Sequence, residues 1–137
     1  MKLSTAAELA IRGMMELAKN HDQGHVNLES ICASGDLPRQ YLSKIFNTLV
    51  RAGLVKPVRG KHGGYKLARA PGRINLLQIV EAIEGPLAIN FCQHTPSQCA
   101  IRDCAIRPVW GEIQRFIRKK LSSTTLAMCL PHAAELK

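Results

Sequence analysis

Along most of the chain, apolar residues recur every three or four positions and alternate with short polar stretches rich in glycine and proline. Apolar residues at this spacing lie on one face of a helix, so each such stretch predicts an amphipathic helix. Two short apolar stretches between the third and fourth helices predict strands. The predicted helices lie at residues 5–19, 28–33, 38–52, 76–84 and 108–121, with a last short helix after 124 or 125, and the strands at 54–58 and 65–67.

The third predicted helix has one apolar face and one polar, basic face. Its core-facing residues are Leu42, Ile45, Phe46 and Leu49, and its outer face carries Arg39, Gln40, Ser43, Lys44, Asn47 and Arg51. A short helix, a glycine-containing turn and a second helix with such a face form the helix-turn-helix pattern of DNA-binding proteins. Many surface helices have a polar face, so this pattern needs support from the segments around it.

A glycine-rich, cationic hairpin tip follows this helix. Residues 59–64, Arg-Gly-Lys-His-Gly-Gly, connect the two predicted strands. Glycine lets the backbone approach a phosphate closely, and Arg59 or Lys61 can reach into a DNA groove. An isolated hairpin of this composition is an ordinary solvated turn. Placed directly after a basic helix, it predicts the wing of a winged helix-turn-helix.

The net charge of +9 comes from one part of the chain. Residues 37–80 hold nine basic and no acidic side chains, whereas the rest of the chain holds ten of each sign. A field of one sign favours a polyanionic partner, and nucleic acid is the commonest one. No apolar run is long enough to span a membrane, and the common catalytic motifs are absent. The sequence therefore predicts a cytoplasmic DNA-binding protein and not an enzyme.

Three of the five cysteines lie within thirteen residues, in the stretch CQHTPSQCAIRDC. Cys92, Cys99 and Cys104 are separated by six and then four residues. Structural zinc sites favour closer cysteine pairs, whereas wide spacing on an irregular loop suits the larger iron–sulfur cluster. The stretch therefore predicts a metal centre, most simply a cluster. A zinc site formed by these cysteines with His94, and disulfide formation without metal, are the alternatives.

The helix predicted at residues 108–121 has an apolar stripe wide enough for a partner helix. The stripe consists of Val109, Trp110, Ile113, Phe116, Ile117 and Leu121. Packing within one chain is one explanation for it. However, the earlier helices already supply a core, and DNA-binding proteins of this size usually dimerise on palindromic sites. The stripe therefore predicts a homodimer contact.

The order of these features resembles one family, the Rrf-two type winged-helix regulators, which include IscR, NsrR and RirA. The resemblance extends from the N-terminus to residue 126. Each matching run is weakly specific alone, but the ordered set is highly specific. The runs are Gln40-Tyr41-Leu42-Ser43-Lys44-Ile45-Phe46, Gly53-Leu54-Val55, Val58-Arg59-Gly60 and Gly63-Gly64-Tyr65, followed by the three cysteines.

The resemblance implies a homodimer joined by the helix near residues 109–121. It also implies that the recognition helix, near residues 39–51, enters the major groove of double-stranded DNA and that the wing enters the minor groove. With the basic faces described above, the residues assigned to DNA binding are Arg39, Gln40, Tyr41, Ser43, Lys44, Arg51, Arg59, Lys61, Gly63 and Gly64.

The resemblance further implies that Cys92, Cys99 and Cys104 hold an iron–sulfur cluster, 4Fe-4S in preference to 2Fe-2S, with one ligand position open. Members similar to IscR fill that position with a histidine three residues after the last cysteine, where this chain has Arg107. A guanidinium is always charged and does not ligate iron. Members similar to NsrR use a carboxylate near the N-terminus, which makes Glu8 the candidate, reaching the cluster of the second chain. The other role for Glu8 is an exposed acid in the first turn of a helix.

The sequence thus predicts a mainly α-helical chain with a small β-hairpin wing and a long dimerisation helix. Its predicted parts are a winged helix-turn-helix domain (1–85), a cluster-binding loop (86–105), and a dimerisation helix with the C-terminal segment (106–137). The predicted function is a homodimeric transcription regulator whose affinity for a palindromic operator changes with a cluster that senses iron, redox state or nitric oxide. The alternative is a winged-helix regulator that senses by cysteine oxidation or zinc binding.

Overall fold

The computed structural model describes residues 2–131, apart from the side chains at positions 34 and 35. The last residues of the predicted third part, 132–137, lie outside this range. The helices are α1 (Thr5–Lys19), α2 (Leu28–Gly35), α3 (Arg39–Arg51), α4 (Leu76–Glu84) and α5 (Arg107–Ser123). The strands are β1 (Val55–Val58) and β2 (Gly64–Leu67), and single turns of 3-10 helix lie between several of these elements.

Helix α1 lies at the centre of the core. Its N-cap is Ser4, whose hydroxyl accepts a hydrogen bond from the Ala7 amide at 3.1 Å and so satisfies a helix-end donor. Met14 is fully buried, and α1 packs against α2, α3 and α4. Gly13 allows α3 to approach closely, because a Cβ at this position would lie 3.0 Å from the ring of Phe46. Helix α1 is therefore the element on which the other three are assembled.

Helices α2 and α3 form the predicted helix-turn-helix. Asn27 caps α2 by accepting a hydrogen bond from the Ser30 amide at 2.7 Å. The helix continues past its predicted end because Asp36 adopts the left-handed conformation (φ 51°) and the Leu37 amide donates to a carbonyl of the last turn at 2.9 Å. Such a cap satisfies the last carbonyls of a helix. The predicted core face of α3 is confirmed, with buried Leu42, Ile45, Phe46 and Leu49.

Strands β1 and β2 form the predicted wing, a two-stranded antiparallel hairpin. Val26, which precedes α2, is bridged to Tyr65 of β2 by two hydrogen bonds of 2.8 Å between their amides and carbonyls. The ring of Tyr65 also stacks on Phe46 of α3, with ring centroids 4.8 Å apart. The wing is therefore fixed both to α3 and to the segment before α2.

The segment after α5 returns to the start of α4. The Leu76 amide donates to the Thr124 carbonyl at 2.9 Å, and the Leu126 amide donates to the Ile74 carbonyl at 3.0 Å. The side chain of Leu126 is fully buried in the core. The sequence did not predict this return. Because of it, Leu126, which belongs to the predicted dimerisation part (106–137), is buried in the core of the predicted DNA-binding domain (1–85).

Helix α5 differs from the others because none of its residues, all of which the structure describes, is fully buried. The ring of Phe116 is 72% exposed and the side chain of Val109 is 46% exposed. Apolar side chains at helical spacing usually face another element. This chain thus leaves part of the α5 stripe uncovered.

These elements confirm the predicted fold class, a mainly α-helical winged helix-turn-helix. The core is largely aliphatic and is formed by residues of α1, α2, α3, the wing and α4, together with Leu126. Within residues 2–131, no helix combines the length and the hydrophobicity that crossing a bilayer requires.

Candidate DNA-binding surface and cysteine pocket

The outer face of α3 is exposed and basic, in agreement with its sequence pattern. Gln40, Lys44 and Arg51 are exposed, Tyr41 is 40% exposed, and Ser43 is half-buried. The buried residues on the opposite side fix the orientation of this face. Side chains on one exposed helix face can reach base edges and phosphates when the helix lies in a major groove.

Arg39, at the start of α3, is bound to Glu29 of α2. Its Nε lies 2.7 Å from Oε1 of Glu29, and both side chains are 65% exposed. A hydrogen bond from the backbone, followed by the hydrogen bond and charge of Arg39, holds the pKa of Glu29 below its usual value. An exposed ion pair contributes little to stability. The ion pair therefore adds little to the stability of the fold, and a contact of Arg39 with DNA stays a prediction.

The two glycines after the wing tip have a packing role that the sequence did not reveal. A Cβ at Gly63 would lie 2.1 Å from the carbonyl oxygen of Val58. A Cβ at Gly64 would lie 2.1 Å from the carbonyl oxygen of Val26. Both positions therefore require glycine for the wing to fold, and contact of their backbone with DNA stays a prediction.

The positive charge of this surface is largely unneutralised. Arg59 and Lys61 at the wing tip are exposed. Among the residues that the structure describes, Arg39 is the only basic side chain of segment 37–80 with an acidic partner. The other charges of the segment are available to a polyanion.

The three clustered cysteines line one small pocket at the start of α5, which we call the cysteine pocket. Cys92 lies in a 3-10 turn (Phe91–Gln93), and Cys99 and Cys104 lie on the irregular loop that follows. The pocket has a volume of about 160 Å³, and its wall is completed by Asn90, Phe91, Ile106 and Trp110. The structure thus brings together the three thiols that the spacing singled out.

Hydrogen bonds hold the loop that carries these cysteines. The Gln98 amide donates to the Phe91 carbonyl at 2.9 Å, and the guanidinium of Arg107 donates to the Ile101 carbonyl. The Thr95–Pro96 peptide bond is cis. Arg107 occupies the position at which IscR-like members have a histidine, and here it binds the backbone of the loop.

No metal site is preformed in the described part of the chain. Within residues 2–131, no group of three or more His, Cys, Asp or Glu side chains is placed to hold a metal ion. His94 lines two other pockets and not the cysteine pocket. The alternative zinc set is therefore not assembled in the described part of the chain. Three thiols that line one pocket are the ligand type of an iron–sulfur cluster, and ligation of a cluster by them stays a prediction.

Glu8 and the two remaining cysteines do not line the cysteine pocket of their own chain. Glu8 is exposed in the first turn of α1, where a carboxylate interacts favourably with the helix dipole. Its ligation of a cluster in a second chain stays a prediction. Burial, followed by the charge of Glu29, raises the pKa of Cys32, which makes this thiol less reactive.

A larger cavity of about 520 Å³ lies between the cysteine loop, α4 and α5. On its wall, a carboxylate oxygen of Glu81 accepts hydrogen bonds from Arg118 at 2.9 Å and from the Leu87 amide at 2.7 Å. Gln114 of α5 accepts a hydrogen bond from the Ile89 amide at 3.0 Å. The sequence did not indicate these residues because, on their own helices, they have the pattern of ordinary solvent-exposed polar positions.

Comparison with known proteins supports the DNA-binding interpretation. A family model described as Rrf2, iron-dependent transcriptional regulator, matches residues 3–131. The relatives include slr0846 of Synechocystis sp., named as a candidate HTH-type transcriptional regulator, which is 37% identical over 127 residues, or 93% of this chain and 86% of that protein. The HTH-type transcriptional regulator CymR of Bacillus subtilis is 35% identical over 127 residues, or 92% of this chain and 87% of that protein.

Solved structures of the family share the fold over nearly the whole chain. CymR, described as the global cysteine regulator of B. subtilis, has a TM-score of 0.81 and 34% identity over 93% of this chain and 94% of that chain. T. potens IscR has a TM-score of 0.82 and 33% identity over 100% of this chain and 91% of that chain. The oxidized form of Staphylococcus aureus CymR has a TM-score of 0.74 and 30% identity over 92% of this chain and 93% of that chain. The resemblance seen in the sequence is confirmed: this chain belongs to the Rrf2 family of DNA-binding transcription regulators and is not an enzyme.

Proposed function

We propose that this chain is a homodimeric transcription regulator whose affinity for a palindromic operator depends on the chemical state of Cys92, Cys99 and Cys104. The observation that carries the proposal is that these three thiols line one pocket at the first turn of α5. Helix α5 also carries the uncovered apolar stripe. A chemical change in the pocket can therefore act on the helix that pairs two chains, and so on the separation of their recognition helices.

In this proposal α3 lies in the major groove and the wing lies in the minor groove. Support comes from the exposed, unneutralised charge of both elements and from the DNA-binding function of the family. The wing is fixed to α3 through the ring contact between Tyr65 and Phe46, so both elements would dock as one unit. The proposed contacts are Arg39, Gln40, Tyr41, Ser43, Lys44, Arg51, Arg59, Lys61, Gly63 and Gly64.

The proposed dimer contact is the apolar stripe of α5. Its exposure supports this assignment, because a second copy of the helix would cover Phe116 and Val109. Residues 1–85 would then bind DNA, residues 86–105 would sense the signal, and residues 106–137 would pair the chains. The proposed location is the cytoplasm, where such a regulator would reach its operator DNA.

Direct thiol chemistry is the first candidate for the sensing mode. The similarity to CymR supports it, because CymR is described as a global cysteine regulator and one of its solved structures is an oxidized form. Hydrogen peroxide would convert two thiols of the pocket into a disulfide by accepting two electrons and two protons and forming two molecules of water. Loss of two thiols would change the loop that packs against α5.

An iron–sulfur cluster, 4Fe-4S or 2Fe-2S, is the second candidate. The family description, the similarity to T. potens IscR and the apolar wall around three thiols support it. When bound, such a group supplies iron–thiolate chemistry that responds to oxidants, nitric oxide or shortage of iron. Cys92, Cys99 and Cys104 would hold it, and Glu8 from a second chain is the proposed fourth ligand.

One anaerobic experiment tests the proposal and separates the two modes. The protein is purified without air, weighed by native mass spectrometry, and titrated with a DNA duplex selected from a random pool, before and after hydrogen peroxide treatment. We expect treatment to change the affinity about 5–150-fold, the range typical of coupled sites, and replacement of all three cysteines with serine to abolish the change. A measured mass equal to that of the polypeptide alone identifies the thiol mode. A mass increased by that of iron and sulfide identifies the cluster. An unchanged wild-type affinity would contradict the proposal.

Replacing Arg59 with alanine tests the wing. We expect operator binding to weaken by about 1–3 kcal/mol and the slope of log K against log salt to fall by about 1, because one groove contact is lost. Lys119→Ala, which removes an equal charge from an exposed position of α5, is the matched control and should leave the slope unchanged. Equal losses in both variants would mean that only net charge matters, and would count against a specific wing contact.

A further inference from the structure

The side chain of Gln93 joins the cysteine pocket to α5. Its Nε2 donates to the sulfur of Cys92 at 3.3 Å and lies 3.5 Å from the carbonyl oxygen of Arg107, the first residue of α5. One amide group therefore contacts both a thiol of the sensing loop and the backbone at the start of the dimer helix. No other side chain in residues 2–131 has hydrogen bonds to both.

Gly111 of α5 lies beside this amide. A Cβ at position 111 would lie 3.4 Å from Oε1 of Gln93, an ordinary van der Waals distance. Gln93 is half-buried, and it lies on the wall of the 520 Å³ cavity while its neighbour Cys92 lines the cysteine pocket. The amide thus lies between the two cavities, across the first turns of α5.

The contact between Gln93 and Cys92 depends on the chemical state of the sulfur. Formation of a disulfide would draw the Cys92 sulfur to about 2 Å from a second sulfur and so change its distance from the amide. The amide has two N–H groups, so its bond to Arg107 can persist when its bond to sulfur weakens. A change at the sulfur therefore alters how firmly the 91–93 turn is held against α5.

Polar contacts continue from α5 to the DNA-binding unit. Arg118 of α5 binds Glu81 of α4 at 2.9 Å. One turn later on α4, Glu84 accepts a hydrogen bond at 2.7 Å from the amide of Ser4, the N-cap of α1. Helix α1 packs directly on α3 through Gly13. These contacts connect α5 to the recognition helix through α4 and α1.

We propose that Gln93 is a positioning residue that couples the state of Cys92 to the placement of α5. This inference rests on the proposed control of operator affinity by the cysteine pocket, and it assigns the coupling to one amide. Gln93 itself contacts no DNA and reacts with no oxidant.

The test compares the operator affinity of each variant before and after hydrogen peroxide treatment. Gln93→Met keeps the length of the side chain and removes its N–H donors. We expect this variant to keep the untreated affinity and melting temperature of the wild type, while treatment changes its affinity less than twofold. Gln98→Met, an exposed position on the same loop whose side chain is not needed for its backbone hydrogen bond, is the control and should respond like the wild type.

A spectroscopic signature separates coupling from simple structural support. The side-chain amide resonances of Gln93, identified by their loss in Gln93→Met, should shift on peroxide treatment of ¹⁵N-labelled protein, whereas those of Gln98 should not. A wild type without any change in affinity would overturn the proposed function and this inference together. If peroxide changed the operator affinity of the wild type and of Gln93→Met equally, the result would overturn this inference but not the proposed function. If Gln93→Met lowered the operator affinity of the untreated protein as well as the response to peroxide, Gln93 would only support the structure. That result would also overturn the inference.

Discussion

Replacing Phe46 with alanine is expected to lower the free energy of unfolding by about 3–5 kcal/mol, the range for removing a buried phenylalanine. Phe46 is fully buried, its ring stacks on Tyr65 of the wing, and it lies against Gly13 of α1. One ring thus fills the space where α1, α3 and the wing meet. Since domains of this size are stable by about 5–15 kcal/mol in total, the loss would remove a large share of the stability.

Urea denaturation at a fixed protein concentration measures this effect, because the stability of a dimer depends on concentration. Phe91→Ala is the matched control: its ring is 67% exposed, and the change should stay within about 0.5 kcal/mol. Operator affinity should also fall in Phe46→Ala at temperatures where the protein is still folded, because the wing loses its contact with α3. An unfolding free energy equal to that of Phe91→Ala would contradict the packing around Phe46.

Replacing Gly64 with alanine is expected to displace the wing. The new Cβ would lie 2.1 Å from the carbonyl oxygen and 2.6 Å from the carbonyl carbon of Val26, and these backbone atoms cannot rotate away as a side chain can. Relief requires breaking the paired hydrogen bonds between Val26 and Tyr65. We expect a loss of at least the about 1–3 kcal/mol typical of overpacking, together with faster hydrogen exchange at the Tyr65 amide.

Gly72→Ala is the matched control, because it is the same substitution at a position where the new Cβ has room. The nearest atom to a Cβ at position 72 is the Cβ of Ala127 at 3.9 Å, an ordinary contact. We expect this variant to be as stable as the wild type, or slightly more stable through a less flexible unfolded chain. If both variants were equally stable, the wing would not be held against Val26 as the structure has it. Operator titration of Gly64→Ala should show the loss of the wing contact in addition to the loss of stability.

The parts of the fold set by local chemistry were predictable from the sequence. Helices α1 and α4 have the predicted bounds because each follows a capping side chain, Ser4 or Asn75, and continues with apolar residues at helical spacing. Asn75 and Gln78 form a complete capping box, with both hydrogen bonds at 2.9 Å. The end of α2 was predicted too early because the left-handed cap at Asp36 has no strong sequence signal.

Contacts between distant segments were not predictable. The burial of Leu126, the bridge between Val26 and Tyr65, and the ion pair between Arg39 and Glu29 each join residues whose own surroundings in the sequence are unremarkable. Hydrophobic periodicity identifies the buried face of an element but not the element that covers it. The glycines of the wing illustrate the same limit, because their crowding comes from backbone that lies far away in the sequence.

The three cysteines that the spacing singled out line one pocket, but the spacing did not predict the wall of that pocket. Trp110 was assigned to the dimer stripe of α5, and the structure places it beside the cysteines. The apolar stripe of α5 is wide enough to contact two neighbouring elements. The spacing of its residues does not show which residue contacts which element. Metal ligation by the three cysteines stays a prediction.

The return of Leu126 to the core gives α5 a fixed end. The helix has 17 residues, a length of about 25 Å at the standard rise, and its other end adjoins the cysteine pocket. If the end beside the pocket moves while the other end stays in place, the whole helix tilts. A movement of about 1 Å at the pocket corresponds to a tilt of about 2° over that length. In the proposed homodimer both α5 helices would tilt, in opposite directions. A small chemical change at each pocket would then change the angle between the two chains.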